Sequence, residues 1–449
     1  MANIRSPNRI PALDGLRGIA ILLVLIRHSF AEFSFVHHPI LNSLVWLTRL
    51  CWCGVDLFFV LSGFLIGGIL LDAQDSPNYF KTFYARRAYR ILPLYFLVLT
   101  LCFLAFELGN LGVLRGDWAK LFDGKIPWWT FFTFTQNIYM GFGGPLATRG
   151  GLSPTWSLAV EEQFYLTLPL LVRLVSRRRA IQLVIACIAT AMLLRVLIAV
   201  WIPGRMYATY FITPCRADGL GLGVLIAVVV RERRLWLYVR EHRRWLYGIA
   251  VGMLLILLSI DFSSFQTPSP ALYGAEYSIF AVFFGSLLLI GVTGEDWLVK
   301  TVFCNSWLMR LGLIAYGTYL LHRATTLVVN LLISSATPSA LTFAVSRFIG
   351  IGSAILIAQL SWTWFEKPLV RRGHRYCYWD SERSTEFILV QALQDRDLLC
   401  TPESALPAES VVFGEKNFEH SRTWTDRSSD TAPHAPQVDG EVGGTQKLV

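Results

Sequence analysis

The chain has 449 residues, of which 54% are hydrophobic and 16% charged, with a formal net charge of +9 and a mean hydropathy of +0.48. A soluble chain carries about 25% charged residues, and the apolar residues here fall in runs of about 20, enough to cross a bilayer as helix. A soluble globular enzyme is excluded, and a membrane barrel too, since no segment alternates polar and apolar residues; the chain reads as an all-α, polytopic membrane protein.

Ten spans are predicted, at roughly 12–32, 45–71, 89–107, 154–173, 181–202, 210–230, 245–261, 274–293, 311–333 and 341–364. The connections test that count, because cytoplasmic loops collect Lys and Arg. Arg5 and Arg9 precede the first span. Lys81, Arg86, Arg87 and Arg90 follow the second, Arg173 and Arg177–Arg179 the fourth, and Arg231–Arg244 supplies six arginines after the sixth. Lys300 and Arg310 follow the eighth, and Lys367, Arg371, Arg372 and Arg375 the tenth. The alternate connections are poor in cations, apart from the long 108–153 loop. The pattern puts both termini in the cytoplasm of a cell (inner) membrane. The first apolar run contains Asp14, Arg17 and Arg27 and lacks a small-residue cleavage site, so it reads as a span rather than a signal peptide.

In the first span, Arg17 and His28 stand eleven residues apart. That is about three helical turns, roughly 16 Å along one face. Ionisable groups inside a membrane are costly and usually functional. The second span places Asp56 deep in the bilayer, where it could orient a histidine or pair with Arg17 or Arg27. Its Ser62, Gly63, Gly67 and Gly68 suit close helix packing. Arg87 and Arg90, three apart at the start of the third span, share a face at the cytoplasmic boundary. Two guanidiniums there suit phosphate, or simply anchor the helix against lipid headgroups. In the 108–153 loop, Trp128–Phe134 suggests an interfacial helix.

The fourth span opens at Pro154 and carries Trp156, Ser157, Glu161 and Glu162. The acids there serve either the helix dipole or chemistry near the outer leaflet. The ninth span carries Tyr316, Tyr319 and His322, the last at a depth similar to His28. Arg195, Arg216, Asp218, Arg323 and Arg347 are further intramembrane charges that would also suit a transport path. The eight Cys are scattered as small apolar fillers, without metal-ligand spacing. Phosphate-loop and dinucleotide motifs are missing, and no feature calls for nucleic acid.

Residues 380–449 carry 13 Asp and Glu against 6 Lys and Arg. With their Ser, Thr, Pro and Gly they read as a disordered tail, with one short amphipathic helix possible at Phe387–Leu399. The membrane domain is residues 1–379.

Six short motifs in order resemble the acyltransferase type 3 family of integral-membrane acyltransferases. They are the Arg17/His28 pair, Gly54-Val-Asp-Leu-Phe-Phe-Val-Leu-Ser-Gly-Phe-Leu-Ile66, Arg86-Arg-x-x-Arg-Ile-x-Pro93, Trp156-Ser-Leu-x-Val-Glu161, Tyr316-x-x-Tyr-Leu-x-His322 and Glu366-Lys-Pro368. The resemblance implies a ten-helix core that moves an acyl group, often acetyl, from acyl-CoA (acetyl-CoA) to a sugar hydroxyl. The acceptor would be a surface polysaccharide, a glycolipid or a secreted metabolite, with specificity in the outer loops. On that reading Arg86, Arg87 and Arg90 hold the coenzyme A phosphates and Arg17 steadies the donor. His28 is the general base or carries the acyl group itself, oriented by Asp56 or Glu161, with Trp156, Ser157, Tyr316 and His322 as further site candidates. A transporter or flippase of a small anion or lipid-linked sugar is the rival expectation; it would move its cargo without consuming acyl-CoA.

Overall fold

The computed structural model describes residues 10–30, 48–118, 122, 124–143, 150–202, 205–264, 270–294, 296–333 and 340–379. The tail at 380–449, with its expected helix at Phe387–Leu399, lies outside the described residues. Among those described, every regular element is helical. The long helices are α1 (Pro11–Phe30), α2 (Gly54–Asp72), α3 (Tyr79–Asn110), α4 (Thr155–Leu174), α5 (Arg177–Trp201), α6 (Ala217–Arg231), α7 (Arg243–Ser264) and α8 (Pro270–Thr293). Then come α9 (Ser306–Leu313), α10 (Ala315–Ile333), α11 (Ala340–Ser361) and α12 (Lys367–Gly373).

Among the described residues, 7 helical stretches are long and apolar enough to cross a membrane. They contain α2, α3, α5, α6, α7, α8 and α11. Helices α1, α4 and α10 have 20, 20 and 19 residues, which is also spanning length. Their composition sets them apart: they hold His28, Glu161 and His322 together with Asp14, Arg17, Arg27, Glu162 and Arg323. These three helices carry the predicted His28, Glu161 and His322.

Glycine lets the central helices touch backbone to backbone. Helix α1 packs on α9 and the turn before it: a Cβ on Gly15 would overlap the Phe303 carbonyl, one on Gly18 the Leu308 carbonyl, and one on Gly312 the Asp14 carbonyl. Helices α2 and α6 cross in the same way, with Gly63 against the Leu220 carbonyl and Gly223 against that of Val60. Without a hydrophobic driving force between helices in lipid, this close van der Waals contact is what holds them together. Arg231 closes one end of the α2–α6 contact by gripping Asp72 with two bonds, 2.6 and 2.7 Å.

Two fully buried ion pairs fix the other end. Arg216, in the turn Thr213–Arg216 before α6, bonds Asp56 at 2.5 Å, and its guanidinium lies 4.2 Å from the centre of the Tyr277 ring. Arg195 on α5 bonds Asp218 at 2.8 Å, and Ser278 on α8 bonds both residues. The pairs therefore join α2, α5, α6 and α8. This corrects the expected place of Asp56: its carboxylate serves Arg216, not His28. Arg195, Arg216 and Asp218 likewise neutralise one another.

The expected interfacial helix at Trp128–Phe134 is one turn, Trp129–Phe132, followed by Gln136–Gly143. Trp129 and Phe132 are exposed, as lipid-facing residues would be. Thr130, Gln136 and Asn137 of this segment are buried instead, and polar bonds tie it to α3 and α4. Gln136 bonds the Thr155 carbonyl at 3.0 Å, Tyr95 bonds the Phe131 carbonyl at 2.8 Å, and Gln163 bonds that of Phe134 at 2.7 Å. This segment thus clamps the start of α4. Of the cysteines, Cys53, Cys102 and Cys215 are buried and free, as fillers should be, whereas Cys304 is disulfide-bonded.

Removing one partner of a buried pair strands the other charge, which costs about 3–5 kcal/mol. Asp56→Ala is therefore expected to lower the thermal midpoint of the detergent-solubilised protein sharply, and adding Arg216→Met should restore much of the loss. An Asp56→Ala protein that melts like wild type contradicts the pairing.

Candidate functional site

Helix α1 packs on α10, and their contact joins His28 to His322. His322 Nε2 lies 3.2 Å from His28 Nδ1, with ring centres 4.9 Å apart. His322 is buried and His28 half-buried. The backbone carbonyls assign the protons. His322 Nδ1 is 2.7 Å from the Tyr319 carbonyl. A carbonyl only accepts, so Nδ1 carries hydrogen and the neutral ring leaves Nε2 as an acceptor. His28 Nδ1 is 3.0 Å from the Val24 carbonyl, so it too carries hydrogen and faces both that oxygen and His322 Nε2. The neutral His28 ring therefore presents a bare Nε2. A histidine held by one nitrogen with the other left unprotonated is suited to act as a general base or nucleophile.

Below the histidines, α4 contributes a polar stripe. Ser157, Glu161 and Tyr165 are four residues apart, so they line one face and extend about 12 Å along the helix. Ser157 Oγ and the Tyr319 hydroxyl are 2.5 Å apart, and Tyr319 also donates to the Pro154 carbonyl at 2.8 Å. One turn on, Glu161 accepts from Ser62 at 2.8 Å and from Tyr165 at 3.2 Å. Arg87 lies over the Tyr165 ring at 5.7 Å and the Phe83 ring at 5.9 Å. The residues from His28 through His322, Tyr319, Ser157, Glu161 and Tyr165 to Arg87 form one polar line between helices.

The far end of that line is cationic. Arg17, paired with Asp14 at 3.1 Å, lies within electrostatic reach of Arg87 and Arg90. Among the described residues neither Arg87 nor Arg90 has a carboxylate within ion-pair distance. Guanidiniums grouped this way, without acidic partners in contact, are suited to a multiply charged anion. Arg86 is also tied to the chain beyond α11: its Nε donates to the Tyr376 carbonyl at 2.6 Å.

Glu161 is bonded to Ser62 and Tyr165 and lies within reach of the charges on Arg87 and Arg90. It belongs to the middle of the line, and what holds His28 is a backbone carbonyl and His322. Trp156 is buried with its ring centre 4.6 Å from that of Tyr210 and 5.2 Å from that of Phe211, an aromatic wall at the histidine end. Tyr316 donates to the Ile91 carbonyl at 2.7 Å and ties α10 to α3. Ser62 and Tyr165 are the members that sequence reasoning missed. Ser62 reads as a small packing residue, and the signal for Tyr165 was its position four residues after Glu161.

A family model described as an acyltransferase domain matches residues 10–363, which include the whole polar line. The chain is 28% identical over 377 residues to the peptidoglycan O-acetyltransferase OatA of Listeria monocytogenes, covering 81% of this chain and 56% of that protein. It is 27% identical over 388 residues to a putative O-acetyltransferase of Staphylococcus aureus, covering 84% and 60%. To the putative peptidoglycan O-acetyltransferase YrhL of Bacillus subtilis it is 27% identical over 476 residues, covering 96% and 66%. The chain thus spans less than two thirds of the length of these relatives. No solved structure matches it. With its membrane helices, its histidine pair and a match across residues 10–363, the chain belongs to the acyltransferase type 3 family.

Proposed function

We propose that this chain transfers an acyl group, acetyl by analogy with the relatives' names, from acyl-CoA to a sugar hydroxyl of a cell-envelope polysaccharide. The proposal includes ten spans, with α1, α4 and α10 added to the seven more apolar stretches, and both termini in the cytoplasm of the cell membrane. The observation that carries it is the polar line from Arg87 to the bare Nε2 of His28. A donor with anionic phosphates and a long neutral arm matches a site with cations at one end and a base about three helical turns away.

In this reading Arg87, Arg90 and Arg17 hold the donor's phosphates at the cytoplasmic face, and its pantetheine arm follows Tyr165, Glu161 and Ser157 inward. The acceptor hydroxyl reaches His28 from the other side. Nε2 takes the hydroxyl proton as the oxygen attacks the thioester carbonyl. The C–S bond then breaks, and His28 returns the proton to the leaving thiolate. While His28 is charged, its Nδ1–H bonds to the Val24 carbonyl and to His322 Nε2 spread the positive charge. His322 is a positioning residue, since it acts through His28 rather than on substrate.

His28→Ala should abolish acylation, by a factor of about 10² or more, in protein that still inserts in the membrane. Full turnover by a well-expressed His28→Ala protein rejects the assignment. His322→Leu removes an acceptor worth about 1.4 kcal/mol, so kcat should fall roughly 10-fold with the KM for acyl-CoA unchanged; an unaltered kcat would show that the second imidazole is not needed. Arg87→Ala with Arg90→Ala should raise the KM for acyl-CoA about 10-fold or more and leave that for the acceptor near wild type. A change confined to the acceptor would place phosphate binding elsewhere, and cargo movement without acyl-CoA consumption would favour a transporter.

A further inference from the structure

Beyond α11, the chain turns back on the start of α3. Gly373, the last residue of α12, presses so closely there that a Cβ would fall 2.9 Å from Tyr89 Cβ and 3.6 Å from Arg86 Cα. Residues 374–379 then cross the beginning of α3 as a strap held by four hydrogen bonds. Arg86 Nε donates to the Tyr376 carbonyl at 2.6 Å and Asn78 Nδ2 to the Cys377 carbonyl at 2.8 Å. The Trp379 amide donates to Asn78 Oδ1 at 3.1 Å, and Ser76 Oγ to the Trp379 carbonyl at 3.1 Å. The Arg86 guanidinium also covers the Tyr378 ring at 5.2 Å, and the Tyr376 ring centre lies 6.1 Å from that of Tyr89.

The strap begins with His374, which is exposed and lies in the field of Arg86, Arg90 and Arg87. Partial burial first, and then those three guanidiniums, hold it below the ordinary histidine value of 6.5. Its own segment adds Lys367, Arg371, Arg372 and Arg375. The carboxylates on the elements packed around the strap are Glu366, bonded by Ser361 at 2.9 Å, Asp72, paired with Arg231 and within electrostatic reach of Tyr378, and the exposed Asp75 of the turn that holds Trp379. The free protein therefore disfavours a proton on His374, and an anion on the arginines would favour it.

We propose that the strap is a wall of the donor site, that His374 is a further ligand for the phosphates of acyl-CoA beside Arg87 and Arg90, and that Arg86 is the anchor that puts it there. This rests on the reading of Arg87 and Arg90 as phosphate ligands. Phosphate on the guanidiniums removes the repulsion, so His374 gains a proton when donor binds. The sign follows: its contribution to affinity is complete below its free value and is lost as pH rises through its higher, bound value.

The test is calorimetric binding of acetyl-CoA and of S-acetylpantetheine, which has no phosphate. It uses the full chain in phosphatidylcholine nanodiscs from about pH 5.5 to about pH 8.5. Wild type should lose about 10-fold more affinity for acetyl-CoA across that range than His374→Gln, while S-acetylpantetheine binds both proteins alike. Identical acetyl-CoA profiles for the two proteins overturn the proposal. So does a His374 effect that appears only as stabilisation by added phosphatidylglycerol, because the phosphate ligand is then a lipid headgroup. Arg87→Ala with Arg90→Ala separates the two levels. If that protein binds acetyl-CoA normally, the underlying reading fails as well; if it loses binding while His374→Gln does not, only the strap proposal falls.

Discussion

On the proposed reading, the chemistry of this protein is set by two imidazoles in contact at the crossing of α1 and α10. A single histidine in a membrane interior is ambiguous, because either nitrogen can carry the proton. The second ring and two backbone carbonyls remove the ambiguity. The Tyr319 carbonyl fixes His322, His322 and the Val24 carbonyl fix His28, and one bare nitrogen is left. Among the described residues, the hydrogen bonds to His28 come from a backbone carbonyl and His322, not from a carboxylate. An ionised acid beside His28 would draw a proton onto it; a neutral partner orients the ring while leaving it basic.

The bilayer explains the rest of the arrangement. Polar groups cannot face lipid without partners, so they are gathered where helices meet. Two groups of intramembrane charge stand out among the described residues. Asp56, Arg216, Arg195 and Asp218 cancel one another and hold α2, α5, α6 and α8 together. Arg17, paired with Asp14, is grouped with Arg87 and Arg90 at one end of the polar line. Glycines at the α1–α9 and α2–α6 contacts bring the backbones close enough to position both sets.

Much of the fold was legible because a membrane helix announces itself by length and apolarity. The sequence singled out Arg17 and His28 for the converse reason: charges in an apolar run have few innocent explanations. What the residues did not reveal was pairing. The partner of Asp56 lies in a turn before the sixth span, and no local pattern links them. Whether Asp56 or Glu161 orients His28 was not readable either, since a position along a helix gives depth only to within a turn or so, and one turn separates Ser157, which meets Tyr319, from Glu161, which meets Ser62. Arg86 looked identical to Arg87 in the motif; its tie to Tyr376 depends on a chain reversal after α11. The Val24 carbonyl that fixes the tautomer of His28 is backbone, which sequence reasoning does not weigh.

The claim on which the account turns is that neutral His28 is protonated on Nδ1 and bare on Nε2. Nitrogen NMR of the protein labelled with 15N-histidine, with His28 assigned through the His28→Gln variant, reads this directly. The account predicts a pyrrole-type signal for Nδ1, a pyridine-type signal for Nε2, and coupling from His28 Nδ1–H to His322 Nε2. A pyrrole-type Nε2 on His28, or a ring doubly protonated at neutral pH, would contradict it.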